Sequence, residues 1–445
     1  MKKTIATLVA IVVLSFALVL TASAAGYRGP AVQLNQLGLF MGTDTGFSLE
    51  RAPTRAEAVT MLVRLLGLES TAESGNYSHP FTDLVAWQVP YVSLAYDMGL
   101  TTGTSETTFN PGGACTAQMY VTFVARALGY TDNDVSSTLW AEAIAFGTRI
   151  GILDDVLNVS PFLRGHMVAV SYLALYVPTA DGSFDTLLGK LVDDGAVTAS
   201  AAAAANSHLS LINEYNLVGA ELEGMVNYDL TMDFNIEMAM LGEKVAMTGV
   251  MDAAMITDGA NIQAAMKYDF SIPMMGMTIE METYIRDGYV YTNLAGEKTK
   301  TSLNDALGMS ADDLFSISST PEGVASSVYE PYMISSITKT TEGAYTVYSV
   351  EIAADSINAI LDMAMGMMSG IGDLAPDAYS GITVGDVLAK TYVSADGKLH
   401  RMSISFVSDM VIDGLDVEAS MDIGFVVNAT GSDVRITFPA DLDSY

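Results

Sequence analysis

Few side chains in this sequence have the types and spacing needed for acid–base, nucleophilic or metal chemistry. No two of the four histidines stand at the spacing of a metal-binding pair. They are His79, His166, His208 and His400. The sequence contains no nucleophile elbow, phosphate-binding loop or calcium-binding loop. We therefore predict that the protein is not an enzyme and uses no metal or cofactor.

The acidic residues leave one catalytic alternative open. Adjacent carboxylates, such as those of Asp154 and Asp155, are typical of solvated loops and helix starts. Glycoside hydrolysis needs two carboxylates that meet only in the folded structure, so the sequence leaves this activity open. The low charge of the apolar strand faces described below disfavours it.

The single cysteine, Cys115, has no partner for a disulfide bond within the chain. A reactive thiol needs basic neighbours that lower its pKa, and the sequence around Cys115 has none. We therefore expect Cys115 to be a small, buried, apolar residue.

The first half of the chain contains a repeat whose units begin with polar helix-capping residues. The stretch from Phe47 to Arg64 aligns without gaps with the stretch from Phe109 to Arg126. Each unit is predicted to be a loop followed by an amphipathic helix. In the first unit Thr54 is a suitable N-cap, and a glutamate three residues later completes a capping box. A second predicted helix, from about Trp87 to Met98, separates the two units.

These segments resemble S-layer homology repeats. The resemblance rests on Pro53 to Glu57, on Phe81-Thr82-Asp83 with Trp87, and on Gly103 through Pro111. A shortened third copy comprises Trp140 to Ile144, Gly151 to Leu153 and Leu163 to Met167. The resemblance covers about residues 31–177, with repeats at about 31–70, 79–132 and 138–177.

Membership of this family implies an all-α domain of three repeats with pseudo-threefold symmetry. Such domains bind a secondary cell-wall polymer that carries pyruvylated sugar and is attached to peptidoglycan. The binding signature is intact in the first repeat only. The second repeat has Ala117 in the arginine position, and the third keeps the arginine but loses the threonine and the acid. The implied wall-polymer-binding residues are Thr54, Arg55, Glu57, Thr116, Gln118 and Arg164.

An arginine offers a planar fork of donors that matches a carboxylate on the polymer. The alternative is that Arg55 and Arg164 are structural residues that form salt bridges between helices. Arg64 and Arg126 also recur, but they stand late in their helices, where a cation complements the negative helix end. We interpret these two as structural.

The second half alternates apolar and polar residues, which is typical of strands with one apolar face. The clearest run extends from Val226 to Met238, and a last one from Val434 to Phe438. Asp287-Gly288 and Asp396-Gly397 are predicted hairpin turns. Helices are expected from within 196–205 to about 215, near 303–317 and near 356–368. These elements predict a large antiparallel sheet whose apolar face the helices cover.

Methionine is concentrated in this half. Of 27 methionines, 21 lie between Met225 and Met421. They are either core residues or the lining of an adaptable apolar cavity, and the Met-x-Met spacings leave Cu(I) binding as a third interpretation. The apolar-ligand candidates are Met232, Phe234, Met281, Met363, Met367, Met402 and Met421.

The strand and helix pattern of residues 201–445 resembles the lipoprotein-carrier (LolA- and LppX-like) group. That resemblance implies a curved antiparallel half-barrel with helices at its mouth and a cavity for acyl chains or a lipoprotein. The predicted fold is thus multidomain, with an all-α repeat domain and an α+β half-barrel domain. The predicted ranges are 31–177 for the repeats, 178–205 for a linker or helix start, and 206–445 for the half-barrel.

The N-terminus indicates that the protein is exported from the cell. Residues 1–24 are predicted to be a signal peptide, with Lys2 and Lys3 before an apolar run that ends in Ala22-Ser23-Ala24. An uncleaved membrane anchor is the alternative. The net charge of −32 disfavours nucleic acid and anionic membranes as partners. With no disulfide framework, we expect a secreted protein on a Gram-positive type of cell wall, with no transmembrane segment in the mature chain.

The function predicted from these features is non-covalent anchoring to the wall polymer, with a C-terminal module that binds a lipid or lipoprotein. The first alternative is a structural component of the S-layer without a ligand. The second is an enzyme that acts on wall glycan.

Overall fold

The protein is described here from a computed structural model that covers residues 27–42, 46–154, 157–223, 227–240, 243–258, 261–273, 276–303, 305, 331–352, 379–412 and 415–445. The chain divides into a helical unit, Ala25–Ser210 with Pro331–Ser335, and a sheet unit, Leu211–Glu330 with Ser336–Tyr445. Several predicted features lie outside the described residues. They are the signal peptide, the helix near 356–368, the candidates Met363 and Met367, and the helix near 303–317 except for residues 303 and 305.

The helical unit contains the helices that the repeat pattern predicts. In chain order they are α1 (Arg28–Gln36), α2 (Arg55–Leu65), α3 (Glu69–Ser74), α4 (Val89–Asp97), α5 (Ala117–Ala127), α6 (Leu139–Arg149), α7 (Arg164–Ala174) and α8 (Leu187–Asp193). The chain passes into the sheet unit within α9 (Ala199–Glu223). None of the helices in the described ranges combines the length and apolar character needed to cross a bilayer.

Local sequence explains where the repeat helices begin and end. The Thr54 hydroxyl accepts a hydrogen bond from the Glu57 backbone N–H, and the Glu57 carboxylate accepts one from the Thr54 N–H at 2.8 Å, so the predicted capping box is confirmed. Gly67 and Gly129 end α2 and α5 with positive φ angles of 69° and 93°. Cys115 is buried, as predicted, and burial raises the pKa of its thiol to about 12.

Residues 178–205, expected as a linker or helix start, are ordered parts of the helical unit. Three leucines of α8 are 2% exposed or less, and the first part of α9 follows directly. They are Leu187, Leu188 and Leu191. Their burial shows that this stretch contributes to the helical core, which a composition rich in alanine, glycine and aspartate did not indicate.

The helical core also contains a short segment from the second half of the sequence. Tyr332 is fully buried, stacks on Tyr27 with ring centroids 6.2 Å apart, and donates a hydrogen bond to the Asp154 carboxylate. A Cβ atom on Gly29 would lie 2.0 Å from the Ile334 carbonyl oxygen, so only glycine allows this approach. The sequence did not predict this segment's role, because the contact joins residues that are far apart in the chain.

We expect Tyr332→Ala to destabilise the helical unit by about 3–5 kcal/mol, because it leaves a cavity the size of an aromatic ring. Tyr332→Phe removes only the hydroxyl and should cost about 1–2 kcal/mol. Both tryptophans, Trp87 and Trp140, lie in this unit, so urea unfolding followed by tryptophan fluorescence measures its stability selectively. Equal stability of Tyr332→Ala and the unmodified protein would contradict the placement of the segment.

The sheet unit is built on one open antiparallel sheet of twelve strands. The strands are β1 (Tyr228–Met240), β2 (Glu243–Asp258), β3 (Asn261–Ile272), β4 (Met277–Arg286), β5 (Tyr289–Leu294), β6 (Glu297–Ser302), β7 (Ile334–Glu342), β8 (Tyr345–Ile352), β9 (Tyr379–Val384), β10 (Val387–Val393), β11 (Leu399–Ile412) and β12 (Leu415–Thr430). Their order is β6-β5-β4-β3-β2-β1-β12-β11-β10-β8-β7, and β9 pairs with β11 beyond the end of β10.

The predicted alternation is confirmed in the central strands. In β1 the even-numbered residues from Met232 to Met238 are buried, and the odd-numbered residues from Asp233 to Glu237 are exposed. Backbone pairing aligns one inward residue from each of six neighbouring strands in a row, which we call the methionine row. From β11 to β4 its members are Met402, Phe425, Met232, Met251, Tyr268 and Met281.

Helix α9 packs on the face of the sheet that carries the methionine row, which we call the inner face. Pairing extends the row from Met402 to Thr391 and then to Tyr348. The Tyr215 hydroxyl of α9 lies 3.3 Å from the Thr391 hydroxyl, and its ring centroid lies 5.7 Å from that of Tyr348. Helix α9 thus covers the apolar face at this end of the sheet, whereas the two helices predicted to cover that face lie almost entirely outside the described residues.

The turn predictions are confirmed, whereas the predicted last strand is wrong. Asp287 and Gly288 both have positive φ, as a tight hairpin between β4 and β5 requires, and Gly397 stands in the turn before β11. Residues Val434 to Phe438 alternate between buried and exposed positions but form no strand. A 3-10 turn at Gly431–Asp433 takes the chain away from β12, so the alternation reflects packing without strand pairing.

Candidate functional site

Arg55 is the first residue of α2 and docks on the loop of the second repeat. The backbone N–H groups of Arg55 and Ala56 donate to the carbonyls of Gly113 and Pro111 at 2.8 and 3.1 Å. The guanidinium Nε donates to the Phe109 carbonyl at 3.0 Å, and the guanidinium carbon lies 4.7 Å from the centre of the Phe109 ring. The side chain is 6% exposed.

Arg164, the first residue of α7, is held in the same way on the loop of the first repeat. The N–H groups of Arg164 and Gly165 donate to the carbonyls of Arg51 and Leu49 at 2.8 and 2.9 Å. Its Nε donates to the Phe47 carbonyl at 3.2 Å, and it is also 6% exposed. The two arginine sites therefore share the same backbone and Nε hydrogen bonds across a repeat boundary. They differ in the rest: Arg55 Nη2 also donates to the Thr102 carbonyl at 3.3 Å, and Arg164 lies over the ring of Phe40.

Neither buried guanidinium forms a salt bridge within the described residues: no carboxylate oxygen there lies within 4.0 Å of Arg55 or Arg164. Burial lowers the pKa of each arginine below its ordinary value, yet an arginine stays charged at neutral pH. Each cation also stands at the positive end of a helix, where an anion is the favoured neighbour. The salt bridge between helices is therefore wrong for the described residues, whereas the hydrogen bonds to backbone carbonyls are compatible with the structural role that this alternative assigns to both arginines.

The second repeat lacks this arrangement. Thr116 caps α5 by accepting a hydrogen bond from the Met119 N–H, but the next residue, Ala117, provides no cation. Gln118 aligns with Ala56 rather than with Glu57, and its side-chain amide donates to the Trp140 carbonyl at 2.7 Å. The structure thus brings two of the three predicted helix starts into the arginine geometry.

Glu57 is tied to the loop that holds Arg164. Its carboxylate accepts hydrogen bonds from the side chain of Arg51, one of them at 2.9 Å. Burial opposes ionisation, but these bonds and the one from the Thr54 N–H lower the pKa of Glu57 to about 2. Glu57 is therefore ionised and committed to positioning Arg51, so it is not a free ligand-binding group.

His166 replaces the capping carboxylate in the third repeat, a role that the sequence analysis missed. The Leu163 N–H donates to His166 Nδ1 at 2.8 Å, as the Thr54 N–H does to Glu57. The sequence signal for this role is the position of His166, three residues after Leu163, just as Glu57 stands three residues after Thr54. Burial lowers the pKa of His166 to about 4, so the imidazole is neutral and can accept this bond.

We expect the helical unit to lose stability as the pH falls from about 6.5 towards 4. The folded-state pKa of His166 lies below the ordinary value of about 6.5, so the neutral form is favoured in the fold. Above pH 6.5 the neutral imidazole contributes roughly 3 kcal/mol to the free energy of unfolding, and this contribution is lost as the pH falls from there through the folded-state pKa. Urea unfolding of His166→Gln should show a weaker pH dependence, whereas His400→Gln in the sheet unit should match the unmodified protein. Parallel curves for all three would contradict this role.

The apolar-ligand candidates within the described residues lie together on the inner face of the sheet. Met232, Met281 and Met402 are members of the methionine row. Phe234 lies two residues along β1, and Met421 is paired with Ile236, so both belong to the same face. All except Met281 are 9% exposed or less, and Met281 is half-buried.

Comparison with known proteins identifies one segment of the helical unit. A family model for the S-layer homology domain matches residues 80–116. This range includes α4, the loop on which Arg55 docks, and Thr116. It lies within the second predicted repeat, so the bounds of the first and third repeats remain predictions.

Several surface proteins are similar to part of the chain. A cell surface protein of Thermoanaerobacter kivui is 30% identical over 186 residues, which is 38% of this chain and 24% of that protein. A surface layer protein of Brevibacillus choshinensis is 32% identical over 28% of this chain and 12% of its own length. An endoglucanase of Bacillus sp. (strain KSM-635) is 33% identical over 21% of this chain and 9% of its length. The chain thus spans a quarter or less of these relatives.

Two solved structures are similar to about half of the chain, at TM-scores well under 0.5. LprF from Mycobacterium bovis has a TM-score of 0.27 and 11% identity, and covers 52% of this chain and 96% of that one. A putative outer membrane lipoprotein-sorting protein domain from Vibrio parahaemolyticus has a TM-score of 0.17 and 8% identity, and covers 52% and 97%. The family match, by contrast, falls on the loop that holds Arg55. Residues 80–116 of the helical unit thus match the S-layer homology domain.

Proposed function

We propose that the helical unit holds the protein on a bacterial cell wall by binding an anionic wall polymer at its two arginine sites. The observation that carries this proposal is the pair of buried guanidinium groups without a carboxylate partner in the described chain. A buried charge is normally paired. This chain has 52 acidic residues against 20 lysines and arginines, yet none of the described acids pairs with either guanidinium, which favours an anion from outside as the partner.

The chemistry of both sites favours a carboxylate attached to a sugar. Nε of each arginine is used by a carbonyl of the neighbouring repeat, which fixes the plane of the guanidinium group. Arg55 also donates from Nη2 to the Thr102 carbonyl at 3.3 Å. A carboxylate can receive charge-assisted hydrogen bonds from the N–H groups that remain on each arginine, next to the positive end of the helix. A pyruvylated sugar of a secondary wall polymer supplies such a carboxylate.

The S-layer homology match and the surface-layer relatives support this location. The relatives that match over the largest shares of this chain are named as cell-surface or surface-layer proteins. We propose that the protein lies outside a Gram-positive type of cell wall, is exported through the signal peptide predicted at residues 1–24, and has no catalytic activity. Because part of the chain is similar to an endoglucanase, hydrolysis of wall glycan is the activity that should be tested as the alternative.

Sedimentation with purified cell walls tests the anchor. We expect the full mature chain to pellet with untreated walls and to stay in the supernatant with walls stripped of their secondary polymer by hydrofluoric acid. Pelleting with both would show that peptidoglycan itself is the partner. No pelleting with either would contradict anchoring, and release of soluble sugar would indicate an enzyme.

For the sheet unit we propose binding of an apolar ligand, a lipid or the acyl chain of a lipoprotein. The methionine row supports this, because four of its six positions carry a flexible side chain that adapts to an apolar partner. A second inner-face row, Phe234, Gly249 and Phe270, adds two aromatic rings to this apolar face: the Phe234 ring lies over Gly249, with its centroid 5.3 Å from that of Phe270.

Native mass spectrometry of the full mature chain, followed by organic extraction, tests the apolar ligand. A bound acyl species of defined mass would support it. An apo mass, together with no uptake of a fluorescent fatty acid, would contradict it. In that case the methionines are core residues of a structural surface protein.

A further inference from the structure

Two tyrosines on the outer face of the sheet, opposite to the methionine row, form a covered aromatic platform. Tyr284 of β4 and Tyr291 of β5 are paired across the strands, and both are 2% exposed. They are covered by residues 434–445, which we call the 434–445 segment. The ring of Tyr445 lies 6.1 Å from that of Tyr291, and the ring of Phe438 lies 6.3 Å from that of Tyr284.

Cations at the edge of this platform pair with acids of the 434–445 segment. Arg286 Nη2 lies 2.7 Å from the Asp443 carboxylate, and Lys298 pairs with Asp441. The same cations face the aromatic rings of the segment, with Lys298 Nζ 4.4 Å from the centre of the Tyr445 ring. In a chain with only 20 lysines and arginines, this corner is an unusual concentration of positive charge that matches an acidic, aromatic peptide.

Side chains, rather than strand pairing, hold the 434–445 segment in place. Gly431 has a positive φ of 61° at the point where the chain leaves β12. Among the described residues, no backbone hydrogen bond involves residues 435–438. The carboxylates of both ion pairs are more than half exposed, so each pair contributes little on its own. The buried anchors of the contact are Leu442 and the rings around it. Such a contact can open without disrupting the sheet.

We propose that the platform of Tyr284, Tyr291, Arg286 and Lys298 is a docking site for the 434–445 segment of a second copy of this chain. The site binds its own segment in the structure, and an identical segment from a neighbour presents the same rings and carboxylates. Exchange of segments between copies joins them without any new contact, because the flexible position at Gly431 precedes the whole segment. The protein thereby gains a means of lateral association that does not depend on the wall or on an apolar ligand.

Charge reversal separates binding within one copy from binding between copies. The receptor variant carries Arg286→Glu and Lys298→Glu, and the segment variant carries Asp441→Lys and Asp443→Lys. In each, like charges face each other and the segment should be displaced. In an equimolar mixture, the basic segment of one variant matches the acidic receptor of the other, and the reverse pairing matches as well.

We expect each variant alone to sediment as a monomer in analytical ultracentrifugation and the mixture to form a dimer. All four substitutions in one chain restore complementary charges within that copy, so this control should be monomeric with the circular dichroism of the unmodified protein. A labelled peptide of residues 434–445 should bind the segment variant about tenfold more tightly than the receptor variant. A mixture that stays monomeric, or a peptide that binds both variants equally, would overturn the proposal.

Discussion

Simultaneous replacement of Arg55 and Arg164 by alanine should abolish co-sedimentation with cell walls. Each substitution removes a charge-assisted contact to the polymer, which is worth roughly 2 kcal/mol or about 30-fold in affinity, so the pair should cost about 1,000-fold. Because both arginines also bind carbonyl groups of the neighbouring repeat, the free energy of unfolding of the helical unit should fall as well. The measurement is the fraction of protein that pellets over a range of wall concentrations.

The matched control is Arg64→Ala combined with Arg126→Ala. It removes the same amount of charge from the helical unit, but Arg64 pairs with Glu69 and Arg126 contacts the Leu100 carbonyl at the far ends of their helices. Pelleting of this control should be unchanged. Equal loss in the control and the test variant would mean that net charge or stability, and not the helix-start site, governs wall binding. Replacement of Arg55 and Arg164 by lysine separates the role of charge from that of the guanidinium group, because lysine keeps the charge but lacks the planar fork of donors.

Phe234→Lys should unfold the sheet unit, whereas Asn235→Lys should leave it intact. Phe234 is 7% exposed, and its ring lies 5.3 Å from that of Phe270 on the inner face. Loss of the Phe234 ring together with burial of the lysine charge should lower the free energy of unfolding by more than about 4 kcal/mol. Asn235 is the next residue on the same strand, points to the outer face, and is paired with Asp422, so a lysine there meets solvent and an acid.

Thermal unfolding followed by far-ultraviolet circular dichroism distinguishes the two variants. Phe234→Lys should also lose any bound apolar species, while Asn235→Lys should retain it. Equal stability of both variants would contradict the assignment of the inner face as the buried one.

The repeat helices were predictable because their signals are local. Capping residues and terminal glycines lie within one or two turns of the helix that they delimit, as Thr54, Glu57 and Gly67 do for α2, and the apolar spacing lies within the helix itself. The arginines were predictable as candidates through the family resemblance. What was not predictable was their support, since Arg55 binds the carbonyl of Phe109 and Arg164 that of Phe47, and neither pairing follows from sequence spacing.

Long-range packing explains the remaining misses. Tyr332 lies between the two helices predicted near 303–317 and 356–368, yet it is buried against Tyr27 and Asp154 in the helical core. The alternation of Val434 to Phe438 correctly indicated which side chains point inward, but alternation does not reveal whether a strand partner is present. Strand order is likewise set by pairing across the whole sheet, so the position of β12 beside β1 could not be derived from the chain order.

Isothermal titration calorimetry of the full mature chain with a soluble, pyruvylated fragment of wall polymer tests the account most directly. Two arginine sites and a second repeat with Ala117 predict a stoichiometry of two fragments per chain, which falls to one in Arg55→Ala and to one in Arg164→Ala. No binding by the unmodified protein, or a stoichiometry that stays at two in both variants, would contradict the claim that these buried arginines hold the wall polymer.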